Sequence, residues 1–172
     1  MKEANCSERN LNVENANTAT PVMVPAPLLC QRLKIEALLL RLGAVPHVHR
    51  NQILLLSESC SAMITLTQTQ QENTLVKVEA SVGEILLVDG LTDFLRARNQ
   101  QVAPIRLELD DRVIRVTWQS EFADDVDPHK VVDALGAVVA VVDSIRTTLH
   151  EDFLLAGVGY LPTGDTSRKE TR

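Results

Sequence analysis

DPHKVVDALGAVVAVVDSIRTTLHEDF, residues 127–153, decides the fold. Its valine-rich centre would suit a strand, but its periodicity does not. At 100° per residue, Val131, Leu135, Val138, Val142, Ile145, Leu149 and Phe153 fall within an arc of roughly 80°, and no two-residue period gathers them onto one side. Asp127 ahead of Pro128 reads as an N-cap before a first-turn proline. The stretch therefore predicts one helix of about 40 Å, enough to cross a five-stranded sheet. Burying its core side chains at roughly 1.5–3 kcal/mol each offsets the modest helix penalty of the valines. On this reading Leu135→Asp unfolds the domain.

Working back from that lid, PLLCQRLKIEALLLRLG (27–43) predicts a first helix. Its apolar stripe is read as Leu29, Leu33, Ala37 and Leu40, widened by Leu28, Leu38, Leu39 and Leu42. Gln31, Arg32, Lys34, Glu36 and Arg41 mark the wet side, and Gly43 the stop. Three short apolar segments follow, NQILLLSES, SAMITLTQTQ and TLVKVEAS, and they read as an antiparallel meander. Alternation sets Ile64 and Leu66 against Thr65 and Thr67, and Val76, Val78 and Ala80 against Lys77 and Glu79. VDGLTDFLRARNQQ predicts a short helix capped by Asp89, with Leu91, Phe94 and Leu95 inward. PIRLELDDRVIRVTWQ predicts a hairpin that pauses at Asp110–Asp111. The expected fold is α+β, with an antiparallel five-stranded sheet in the order α-β-β-β-α-β-β-α packed under the first and last helices.

Composition bounds the rest. A chain of 172 residues, 45% hydrophobic and 23% charged, fits one domain with polar ends. We expect a disordered arm over 1–25, a single domain over 26–158 and a flexible tail over 159–172. A net charge of −6 argues against non-specific nucleic-acid binding. No apolar run approaches the ~20 residues of a membrane span, and the first residues lack the apolar core of a secretory signal. Cys6, Cys30 and Cys60 have neither disulfide-framework nor metal-motif spacing, so they read as free thiols in a reducing, cytoplasmic setting.

No motif announces a reaction: GxxxxGK[ST], GxGxxG, GxSxG and HExxH are all missing from the sequence. His47 and His49 would share a face if extended, but zinc needs a further ligand, and solvated histidines on a turn led by Pro46 are the simpler reading. Asp124, Asp125 and Asp127 lack the glycine and glutamate of a calcium loop and better suit a helix N-terminus. Gly136, Ala140 and Thr147 lie opposite the core stripe of the last helix, open either to solvent or to another chain. ILLL at 53–56 is apolar on both faces, so one side is left for a second layer or a partner.

The element order, the first helix ending in LRLG, the LTDFLRARN segment and the long closing helix together resemble the class I type III secretion chaperones and the related YbjN-like proteins. That resemblance implies a small acidic protein, homodimeric, which binds segments of other proteins rather than catalysing a reaction and takes no cofactor. We therefore expect a non-enzymatic protein- or peptide-binding adaptor, with Ile53 and Leu55 meeting the partner and Leu91, Phe94 and Trp118 serving self-association. Binding by strand addition at an open sheet edge is a further expectation. Two alternatives remain: a scaffold that binds through its N-terminal arm, and a small hydrolase or metal-binding protein.

Overall fold

The computed structural model describes residues 24–57 and 60–156. They form α1 (Ala26–Arg41), β1 (His47–His49), β2 (Gln52–Leu56), β3 (Ser61–Gln68), β4 (Thr74–Ile85), α2 (Leu91–Val102), β5 (Arg106–Asp110), β6 (Val113–Phe122), α3 (Pro128–Phe153) and β7 (Leu155–Ala156). The strands make one antiparallel sheet in the order β1-β2-β3-β4-β6-β5, and β7 pairs with the far end of β4. Of the expected arm, Val24 packs against the core and Pro25 precedes α1. The remainder of that arm, residues 157 and 158, and the tail 159–172 lie outside the described residues.

Register sorts the sheet into two unlike faces. Ile53, Ile64, Val78 and Trp118 align across four strands, and Ala62, Ala80, Val116 and Leu107 align beside them. These rows are buried, and the sheet residues of the core come from this face alone. α1 and α3 pack on it. The opposite face carries Gln52, Leu54, Met63, Lys77, Glu79, Arg115 and Thr117, which follows from strict alternation along each strand.

α3 forms as its periodicity demands. The Asp127 side chain accepts a hydrogen bond from the His129 N–H at 3.0 Å, Pro128 sits in the first turn, and Leu154 ends the helix in the left-handed region. Its buried line is Val131, Ala134, Val138, Val142, Ile145, Leu149 and Phe153. Ala134 thus takes the place expected for Leu135, whose larger side chain stands half-buried at the margin of the interface.

Other expectations need correction. The sheet has seven strands, because His47–His49 folds back on β2 through a two-residue turn, in which Arg50 itself adopts φ 53°, and because Leu155–Ala156 returns along β4. Segments of three and two residues are too short to show a period, so neither was legible. α1 is turned about its axis relative to the expected stripe: Leu28, Gln31, Ile35 and Leu39 are buried, while Leu29, Leu33 and Leu40 are 38%, 50% and 55% exposed. Polar contacts flank the buried line on both sides. The Arg32 guanidinium donates to the Arg50 carbonyl, and the Lys34 ammonium meets Asp125 at 2.6 Å. That hydrogen bond to Asp125 holds the Lys34 ammonium above its ordinary pKa, although both groups are open to water and the pair adds little stability. Gly90, in the left-handed region at φ 76°, precedes α2 in place of the expected Asp89 cap. The β5–β6 loop is Asp111–Arg112, both with positive φ, which is a type I′ hairpin built without glycine.

Candidate functional site

The sheet face opposite the helices is assembled by cross-strand rows. His47, Leu54, Met63, Glu79, Thr117 and Arg106 form one row from edge to edge. Leu56, Ser61, Ser81, Arg115 and Glu108 form the next. At its centre Glu79 is only 4% exposed, and an isolated carboxylate at that depth would be costly. Two cations neutralise it: Lys77 contacts one oxygen, and Arg115 Nη1 lies 3.0 Å from the other. Arg115 also reaches Asp110 through Nη2 at 2.8 Å, so the four side chains form a chain of charges across β4, β6 and β5. This network orders the middle of the face. Leu54, Leu56 and Met63 make an apolar corner on the β1 side, where Leu56 is 55% exposed.

A second apolar surface lies over α1. Leu29, Leu33 and Leu40 share one side of the helix within roughly 40° of arc, and Leu42, 65% exposed, follows the last turn. Arg32 and Arg41 flank this stripe, and Arg50, His47 and His49 stand at the neighbouring hairpin. A third group of exposed aliphatics, Leu86, Leu87, Val88 and Leu154, gathers where β4 leaves the sheet beside the end of α3, held by the Leu87 N–H donating to the Phe153 carbonyl.

The expected contact residues fall beneath these surfaces. Ile53 is fully buried and Leu55 partly so, both on the helix-covered face. A partner could reach Ile53 only if α1 lifted away. Leu91 is fully buried, Trp118 is 7% exposed on the covered face, and Phe94 packs on Phe153 of α3 with ring centroids 5.3 Å apart. The surface-bearing residues that sequence reading missed are the alternate positions, Leu54 and Leu56 on β2 and the outer leucines of α1. Gln52 was the available signal on β2, because a polar first residue on that side marks it as the wetter one. On α1 the signal was masked, since Gln31 occupies the buried line with its Oε1 unpartnered.

The remaining candidates are placed as follows. His47 and His49 project on the same exposed side of β1, and among the described residues no group of three or more His, Cys, Asp or Glu side chains could hold a metal ion. Asp125 and Asp127 are engaged with Lys34 and the α3 N-terminus. Cys30 is exposed, Cys60 is buried, and both are free. Gly136, Ala140 and Thr147 are exposed on α3, and a Cβ added at Gly136 would meet nothing within 4 Å. No described helix is long and apolar enough to cross a membrane.

Beside α2 runs a shallow groove lined by Thr92, Leu95, Arg96, Asn99, Gln100 and Leu109. Asn99 closes its floor against β5: its Nδ2 donates to the Leu107 carbonyl at 3.0 Å and its Oδ1 accepts from the Leu107 N–H at 2.6 Å.

No protein-family model matches the chain. No curated protein matches it. Among solved structures it is similar to a chain of the ExsC–ExsE complex, with a TM-score of 0.56 and 16% identity, covering 72% of this chain and 96% of that one. It is also similar to YbjN from E. coli, a proposed transcription regulator, with a TM-score of 0.53 and 12% identity, covering 69% of this chain and 90% of that one. At these identities the likeness is one of fold. The chain has the YbjN-like, type III secretion chaperone-like fold that its element order led us to expect.

Proposed function

We propose that this chain is a non-enzymatic, chaperone-like adaptor that binds a segment of another protein, acting as a homodimer in the cytoplasm. The observation that carries this reading is the outer side of α1: three leucines at helical spacing face away from the core, on a helix that buries Leu28, Ile35 and Leu39 on its other side. An amphipathic segment laid along α1 would cover them, and Leu54, Leu56 and Met63 offer a second apolar foothold around the β1 side. Ile53 and Leu55 then support this foothold from the covered face rather than touch the client. The fold adds weight, because one of its structural neighbours was crystallised as the ExsC–ExsE complex.

Charge narrows the client. Between Glu36 and Glu58 the sequence has no acidic residue but has Arg41, His47, His49 and Arg50, in a chain whose net charge is −6. An acidic amphipathic segment is complementary to that end, and its association should weaken as salt rises. For self-association we propose the surfaces over Leu91, Phe94 and Trp118.

The test is capture of partners from the protein's own cell lysate by the intact chain, by the triple variant Leu29→Ser, Leu33→Ser, Leu40→Ser, and by a chain lacking residues 1–23. Loss of the dominant partner in the triple variant alone supports the α1 surface. Loss only on truncation transfers the function to the arm, and retention in both ends the reading.

A further inference from the structure

The aliphatic cluster at the end of α3 is not used by the proposed function. Leu86, Leu87, Val88 and Leu154 are 41–56% exposed there, and the hydrogen bond from the Leu87 N–H to the Phe153 carbonyl holds the two segments side by side. Four acids surround this cluster. Glu84 and Asp89 lie within three residues of Leu87, and Glu151 and Asp152 within two of Phe153. All four are exposed, and none has an ion-pair partner among the described residues. Three residues of extended chain span roughly 10 Å, so the carboxylates stand around the rim of the aliphatic surface. Such a surface is complementary to a segment that brings apolar side chains followed by cations.

The chain itself supplies one, beginning three residues beyond Leu154. Leu154 turns the backbone through the left-handed region, and Leu155 and Ala156 then pair with Ile85 and Glu84 of β4. The other side of β7 has no strand partner among the described residues. From residue 157 the sequence continues GVGYLPTGDTSRKETR. Gly157-Val158-Gly159 has the length and composition of a hairpin loop. Closed in that way, it sets Tyr160 opposite Ala156 and Leu161 opposite Leu155, and sends the chain back toward Leu154. Pro162 then falls on an outermost strand, where proline is tolerated. Beyond it Arg168, Lys169 and Arg172 outnumber Asp165 and Glu170, in a chain whose net charge is −6. The seven residues from Leu161 to Arg168 span up to about 23 Å, enough to bring these cations to the rim.

We propose that residues 157–172 fold back as a strap over the aliphatic cluster, with Tyr160 and Leu161 covering Leu86, Leu87 and Leu154, and with Arg168 and Lys169 meeting the acids around them. The occupant is the chain's own tail because β7 fixes its origin beside the cluster. That tether gives it a local concentration which a separate segment of the same chemistry has to overcome. The contact lies within one chain, so it needs neither a client on α1 nor a second copy.

Tyr160 is the sole tyrosine of the chain, so its exposure is read directly by second-derivative absorption. The test combines that measurement with amide exchange over residues 160–169 in the full-length protein, set against a synthetic peptide of residues 157–172. Leu86→Ser with Leu87→Ser removes the apolar half of the surface, and Glu84→Lys with Asp89→Lys inverts part of its rim. These four side chains are exposed, so the domain stays folded in both variants. The expected result is a shielded Tyr160 in the wild type and tail exchange about tenfold or more slower than in the peptide, at every protein concentration. Each pair of substitutions returns both readouts to the peptide values. Adding Arg168→Glu and Lys169→Glu to the lysine variant restores the protection. A wild-type tail that exchanges as fast as the peptide overturns the proposal, and so does protection that survives either pair of substitutions. Protection that grows with protein concentration also overturns it, because the tail would then belong to a second copy. No readout involves partner capture, so failure here leaves the α1 client surface standing, and loss of the client in the α1 variant leaves the strap standing.

Discussion

Two substitutions two residues apart on α1 test the orientation on which the proposed binding surface depends. Ile35 is fully buried and Leu33 is 50% exposed. Truncating a fully buried isoleucine to alanine removes its transfer free energy and leaves a cavity, together about 2–5 kcal/mol. Leu33→Ala gives up half of a leucine's contacts on a surface that can re-solvate, and alanine is the better helix former, so its net cost is about 0.5 kcal/mol or less. With a urea dependence of roughly 2 kcal/mol per molar, the midpoint should fall by about 1–2 M for Ile35→Ala and by no more than about 0.3 M for Leu33→Ala. The assay is equilibrium urea unfolding followed by far-ultraviolet circular dichroism, with the slope checked for constancy. If Leu33→Ala proves the more damaging, the outer leucines are core residues, and the surface proposed for the client does not exist.

Three further outcomes follow from the same packing. Val138→Asp should unfold the domain, whereas Leu135→Asp, at the half-buried margin, should leave it folded with a lowered melting temperature by calorimetry. Asp127→Ala removes the side-chain acceptor of the His129 N–H and should lower stability by about 1 kcal/mol in chemical denaturation, with Asp127→Asn recovering most of it. Glu79→Gln leaves Lys77 and Arg115 facing a neutral amide; since those cations are 43% and 29% exposed and can turn to water, the loss should be about 1–3 kcal/mol by thermal melting rather than the 3–5 kcal/mol of a fully buried pair.

What could be read from the sequence depended on length and on the contrast between faces. α3 was legible because 26 residues give seven turns in which to see one stripe, and Asp127–Pro128 mark its start. β3, β4 and β6 were legible because apolar and polar residues alternate where one face is buried and the other is not. α1 was misread in rotation for a reason internal to its composition. With leucines at 28, 29, 33, 38, 39 and 40, two stripes compete, and the one chosen by leucine count lost to one that contains Gln31. The outcome was settled by burial remote in sequence, Leu28, Ile35 and Leu39 packing into the core, with Arg32 at the β1–β2 turn and Lys34 at Asp125 only flanking it. ILLL was recognised as apolar on both faces, but which pair of residues faces outward depends on register, and a shift of one residue exchanges Ile53 and Leu55 for Leu54 and Leu56. The Asn99 clasp could not be inferred at all, since nothing local to RARNQQ says which backbone its carboxamide will meet.

The size of the exposed apolar surface sets a condition on any client. Leu29, Leu33, Leu40 and Leu42 together expose the equivalent of about two leucine side chains, and complete burial of one is worth roughly 1.5–3 kcal/mol. Covering the whole stripe therefore gains about 3–6 kcal/mol from this chain's side, and a client's own apolar face adds a comparable amount, a sum within the ~4–15 kcal/mol that association costs in lost freedom. A short segment resting on α1 alone would be held weakly. A client held stably gains by reaching a second surface as well, and Leu54, Leu56 and Met63, on the sheet face opposite the helices past the β1 edge, are the apolar residues next in line. Such a segment has to wrap from the helix layer to the open sheet face. Variants at Leu54 and Leu56 should then weaken capture as variants at Leu29 and Leu33 do, and a peptide long enough for one surface but not both should bind more weakly than one that reaches both.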